Sequence, residues 1–228
     1  LGDVYKRQAE YKYIPDAIVV EGPKAGGHLG YKEEQLVDEH YALESIVPEI
    51  VAEVHAFEAE HGCHIPVIAG GGIYTGEDIY RIMSLGAEGV QMGTRFLATE
   101  ESDFCELWKK MVVDCADGGT IIARGFVGPA RWLRSDVSLQ HAYNTAKEAP
   151  GSYVGVPDDF SSIPMELLTF ERYGIAATYK GDVEHAMAGA GECAQRITDL
   201  PKTKDMVEKV MGDAETIIRG LAAKYVAD

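Results

Sequence analysis

Of the four cysteines in this 228-residue chain (Cys63, Cys105, Cys115 and Cys193), no two are spaced as a CxxC pair. That scatter excludes a disulfide framework and fits reduced thiols in a cytoplasmic protein. Long apolar runs are lacking too. None approaches the ~18 residues needed to span a bilayer, so neither a membrane span nor a signal peptide is expected. Basic residues are scarce: 21 Lys+Arg stand against 37 Asp+Glu, a formal net charge of −16. Nucleic acid and anionic membrane surfaces are excluded as partners on that balance. There is no initiator Met, and Leu1 to Gln8 lacks periodicity and reads as a non-native leader.

Glycine, by contrast, is abundant and is placed where chemistry can use it. Ile65-Pro-Val-Ile-Ala69 is a short β-rich apolar run that breaks into Gly70, Gly71 and Gly72. Thr75 and Asp78 then have capping-box spacing ahead of Ile79, Ile82 and Met83, which recur at helical intervals, and Gly86 closes the helix. Val90 to Met92 reads as the next strand and ends in a second glycine turn at Gly93-Thr94. Two such turns in tandem offer bare backbone N–H groups at the ends of neighbouring parallel strands. A small anion can be cradled there whatever the total charge.

In a (β/α)8 barrel the usual phosphate site lies in the loops after strands 7 and 8. By that rule Ile65–Ala69 is strand 7, Val90–Met92 is strand 8, and the buried-type run Asp16–Glu21 is strand 6. Helices are predicted around Ile46–Phe57, with Pro48 in the first turn, around residues 75–86 and from Ser102 to Ala116. Three βα units do not close a barrel, which takes eight. The chain therefore reads as an N-terminally truncated TIM barrel, strands 6–8, with about five units expected upstream. A small open α/β sheet complete in itself is the alternative. Residues 9–117 are assigned to the barrel and 118–228 to a loop-rich, helical region packed on it. Within that region Gly118–Asp136, holding Arg124, Arg131 and Arg134, and Gly151–Ser162 are predicted loops, and Asp182–Ile197 a glycine-punctuated helix. The last helix is predicted to turn Met206, Val207, Val210, Met211, Ile217, Ile218, Leu221 and Tyr225 to the core.

One imidazole stands out. Ala25-Gly26-Gly27-His28 places it after strand 6, at the barrel end that carries chemistry. A group titrating near neutrality can move a proton or, when charged, hold an anion. His61-Gly62-Cys63-His64 reads as a loop, and no metal site is expected.

Three stretches, Glu21–His28, Pro66–Ile73 and Gly89–Phe96, resemble the nitronate monooxygenase family in order and spacing. That family of FMN-dependent barrels also includes the flavin-type enoyl-(acyl-carrier-protein) reductases. The resemblance runs more weakly through Gly181–Gly191, covering roughly residues 14 to 226. It implies that His28 is the active-site histidine facing the flavin ring, with Glu21, Gly26 and Gly27 beside the cofactor. It implies too that Gly71 and Gly72 hold the FMN phosphate with Gln91, Met92, Gly93 and Thr94, the last by its hydroxyl. Two departures are a lysine at Lys24, commonly acidic in the family, and Gly191-Glu192, where it often has Gly-Gln.

The implied reaction is oxidation of alkyl nitronates with dioxygen to a carbonyl compound and nitrite. An alternative is NAD(P)H-dependent reduction of an enoyl thioester, and a third reading is an inactive FMN- or phosphate-binding remnant. The substrate is a small molecule in either catalytic reading; the oligomeric state stays open.

Overall fold

The computed structural model describes residues 14–125, 128–148 and 164–226. The leader and the Gly151–Ser162 stretch lie outside the described residues. Two three-stranded sheets organise the rest. The first is parallel: β1 (Ile18–Glu21), β3 (Val67–Gly70) and β4 (Gly89–Gln91), in the order β1-β3-β4. Its register pairs Glu21 with Gly70 and Gly70 with Gln91, so the three strands end level. That alignment puts all three following turns at one edge, as a parallel α/β layer requires.

Each of these strands is followed by a helix. After β1 and its loop comes α1 (Leu43–His61), closed by Gly62 in the left-handed region at φ 66°. It starts a turn earlier than its sequence suggests, so Pro48 lies beyond the first turn. After β3 comes α2 (Gly76–Met83), and its capping box is formed as predicted. Thr75 Oγ1 accepts from the Asp78 N–H, and the Asp78 carboxylate accepts from the Thr75 N–H, both at 3.1 Å. After β4 come the short α3 (Thr94–Leu97) and α4 (Glu106–Val113). Val47, Val54, Ile65, Val67, Ile79 and Ile82 form the core between the parallel sheet and its helices.

The second sheet corrects the sequence reading. Residues assigned to a glycine- and arginine-rich loop form an antiparallel hairpin, β5 (Thr120–Gly125) and β6 (Gly128–Leu133). All six residues of β6 are buried, which removes the polar alternation that marks a strand. The two-residue β2 (Gly27–His28) adds to its other edge, Gly27 opposite Arg131 and His28 opposite Ala130. Two helices complete the region, α5 (Asp136–Glu148) and α6 (Met165–Tyr179).

Asp182–Ile197 is not a helix either. Gly189 bridges Trp132, and a single 3-10 turn covers Glu192–Arg196. Its small residues serve close approach rather than helix packing: a Cβ on Gly191 would meet the Lys24 carbonyl oxygen and the Thr94 hydroxyl at 3.1 Å. The final helix α7 (Thr203–Tyr225) turns Met206, Val210 and Ala214 to the core. Val207, Met211, Ile218 and Tyr225, predicted core-facing, are exposed. No helix among the described residues is long and apolar enough to cross a membrane.

Candidate active site

The turns that follow β1, β3 and β4 converge on one cavity of about 420 Å³. Glu21, Gly26, Gly27, His28, Gly71, Gly72, Gln91, Gly93 and Thr94 all line it. Nine of the ten residues singled out by sequence are thus brought together. Met92, expected to contribute its backbone N–H, is not among the lining residues, and its side chain packs against the core of the parallel layer. Residues that sequence reasoning did not single out make up an apolar wall, among them Phe104, Trp108, Trp132 and Ile175.

The glycines are required by shape at two places. Gly71 sits at φ 108°, and a Cβ there would come 2.9 Å from the Gly22 carbonyl oxygen. A Cβ on Gly26 would lie 2.2 Å from the Gly191 nitrogen. The Gly22–Gly27 loop is therefore clasped between the turn after β3 and the Ala190–Gly191 strand-like segment, and no side chain larger than hydrogen fits. Gly93 and Gly27 have nothing within 4 Å of the corresponding position. At those two positions the space beside the α-carbon is open.

Arg131 holds that loop from behind. Its guanidinium donates to the Pro23 and Ala25 carbonyls at 3.0 and 3.1 Å and to Thr120 Oγ1 at 3.2 Å. Glu192 stands 3.9 Å away and supports the charge, while burial pulls the guanidinium pKa down. The residue was visible in the sequence only as one of three nearby arginines. Thr94 is also tied: its Oγ1 accepts from the Gly191 N–H at 2.8 Å. It joins the turn after β4 to the segment that clasps Gly26. Its hydroxyl, expected to face a phosphate, is thus already engaged on one side.

The titratable groups differ in what they can do. His28 is half-exposed, and its Nε2 lies 3.6 Å from Oε1 of the buried Glu171. The neighbouring Glu171 carboxylate raises the His28 pKa above the ordinary imidazole value, and partial burial opposes this. The 3.6 Å separation is long for a hydrogen bond and within ion-pair range. Glu21 is shifted upward by burial, against a backbone hydrogen bond from Gly30. The Tyr31 hydroxyl donates to the Glu21 carbonyl, and burial pushes its pKa to about 12. Cys193 lines the same cavity, but burial pushes its thiol to about 11, which disqualifies it as a thiolate nucleophile near neutrality.

Trp132 completes the lining. Its indole N–H is buried and, among the described residues, finds no acceptor. Trp108 does find one, donating to the Gly189 carbonyl at 3.0 Å. Open backbone at one end, an apolar aromatic wall and one imidazole suit a planar ring system carrying an anionic tail. Among the described residues, no group of three or more His, Cys, Asp or Glu is placed to hold a metal ion.

Comparison with known proteins agrees with this geometry. The sequence profile of the family "Nitronate monooxygenase" matches residues 2–213. A probable nitronate monooxygenase of Staphylococcus aureus (strain Newman) is 39% identical over 114 residues, 50% of this chain and 30% of the relative. FabK from Thermotoga maritima superposes with a TM-score of 0.71 at 26% identity, over 97% of this chain and 61% of that one. Nitroalkane oxidase from Streptomyces ansochromogenes gives 0.65 at 26% identity, over 94% and 56%. The chain thus spans less than two thirds of the length of these relatives. With the profile covering most of its residues, this chain belongs to the nitronate monooxygenase family, a family of flavin-dependent oxidoreductases.

Proposed function

We propose that this chain supplies the phosphate-binding turns and the active-site imidazole of an FMN-dependent nitronate monooxygenase. In this reading β1, β3 and β4 are strands 6, 7 and 8 of a TIM barrel. The observation that carries it is the placement of His28 on the wall of a cavity floored by the turns at Gly71–Gly72 and Gln91–Thr94.

The residues fit FMN on two counts. The turn at Gly93 has open space where an anion can approach, and the buried Trp132 N–H, lacking an acceptor among the described residues, can donate to a polar edge of a ring. When bound, FMN would supply the redox chemistry of the reaction. His28 binds the nitronate oxygen, or takes a proton from a neutral nitroalkane. Phe104, Trp108 and Ile175 keep water from the substrate side of the cavity.

The test pairs two substrates. Aerobic incubation of the FMN-loaded protein with an alkyl nitronate should release nitrite. Under argon, NADH should leave the flavin oxidised. Rapid bleaching by NADH with no nitrite release would instead assign the chain to the enoyl reductase reaction.

A further inference from the structure

Behind His28 lies a second histidine that the reaction above does not use. Glu171, on α6, sends one carboxylate oxygen to within 3.6 Å of His28 Nε2 and the other to within 3.7 Å of His141 Nε2. Both Glu171 and His141 are almost wholly buried, whereas about half of the His28 side chain reaches solvent. The flanking rings fix the inner histidine: His141 stacks on Phe170 at 5.7 Å between centroids and meets Trp132 edge-on at 6.1 Å. A buried carboxylate is costly unless a cation compensates it. Two imidazoles compete for that role. The one at the cavity can carry the charge at lower cost, because it keeps part of its hydration.

We propose that Glu171 is a positioning residue that fixes the His28 ring and holds it as an imidazolium, so that the site selects an anionic nitronate over a neutral nitroalkane. This rests on the reading of the cavity as a nitronate site. The other groups near His28 fit such a role. Arg131, on the strand paired with β2, spends its guanidinium on the Pro23 and Ala25 carbonyls, so it does not answer Glu171. Glu21 and Cys193 line the same cavity, and burial shifts both upward. Among the described residues, Glu171 is the carboxylate within ion-pair range of His28, with His141 closing its far side.

The signal was present in the sequence but ambiguous. On α6 the buried positions Leu167, Glu171, Gly174 and Thr178 recur at helical spacing, with one acid among small and apolar residues. An acid at a core register is either a solvated face misread or a buried partner.

The test is an NMR titration of the His28 ring in the FMN-loaded protein, with kinetics on both substrate forms. His28 should titrate above the ordinary value of about 6.5. In Glu171→Gln it should fall by about one unit or more, as expected on losing a neighbouring opposite charge. KM for the nitronate should rise about tenfold in that variant, with KM for the nitroalkane little changed. A His28 titrating at or below about 6.5 in the unsubstituted protein overturns the proposal without recourse to any variant. So does a Glu171→Gln protein that holds FMN and leaves the His28 titration unmoved. The titration decides this inference and nitrite release decides the reaction, so failure of one is distinguishable from failure of the other.

Discussion

Lys24 and Glu192, which meet across the loop after β1, are joined to each other. Lys24 Nζ stands 3.5 Å from Glu192 Oε1, and the Glu192 N–H donates to the Lys24 carbonyl at 3.0 Å. The pair ties the Gly22–Gly27 loop to the segment that clasps Gly26.

Because more than half of the Lys24 side chain is exposed, the ion pair itself contributes little. Lys24→Ala should change unfolding free energy by no more than about 1 kcal/mol, measured by urea denaturation. Arg131→Ala should behave differently. It strands the buried Pro23 carbonyl and the part-buried Ala25 carbonyl and should cost about 3 kcal/mol or more. A loss as small as that of Lys24→Ala would show that the loop does not depend on Arg131.

Thr94 offers a sharper comparison. Thr94→Val keeps the shape but leaves the Gly191 N–H without its acceptor, at a cost of about 1–3 kcal/mol. Thr94→Ser retains the oxygen and should stay close to the parent. Thermal melts of the two variants side by side check this.

Gly26 and Gly93 should separate steric necessity from cofactor contact. Gly26→Ala forces a Cβ onto the Gly191 nitrogen and should destabilise the fold by at least about 1–3 kcal/mol. Gly93→Ala meets nothing within 4 Å and should fold normally. Any loss of FMN affinity in a stable Gly93→Ala protein then reports crowding of the cavity itself. Circular dichroism and flavin absorbance together read both effects.

The pH dependence follows from His28. Its folded-state pKa is raised by Glu171, above an unfolded value of about 6.5. The contribution is fully present below that unfolded value and is lost as pH rises through the folded one. Stability should therefore decline somewhat across that window, and Glu171→Gln should flatten the decline. Denaturation midpoints collected from pH 5 to 9 would show it.

The parallel layer was legible in the sequence because its strands are short apolar runs cut off by glycine, and Thr75 and Asp78 marked the helix start. Those same glycine punctuations located the end of the cavity formed by the three turns, but not its apolar wall. The hairpin was hidden because β6, Gly-Pro-Ala-Arg-Trp-Leu, buries every residue including an arginine, so its composition resembles a loop. Asp182–Ile197 misled for the opposite reason. Alanine and glycine serve a helix or a close backbone contact equally well, and only the position of Gly26 decides between them. Glu171 was ambiguous in the sequence, a lone acid at a core register whose partners, His28 and His141, are 143 and 30 residues distant along the chain.

The most direct test is equilibrium dialysis of the purified chain against FMN, with folding verified by circular dichroism. If the turns at Gly71–Gly72 and Gly93–Thr94 cradle the phosphate, the folded chain takes up one FMN, and Gly71→Ala, strained at φ 108° and crowding Gly22, abolishes uptake. A folded chain that stays colourless at saturating FMN would contradict the assignment of this cavity to a flavin.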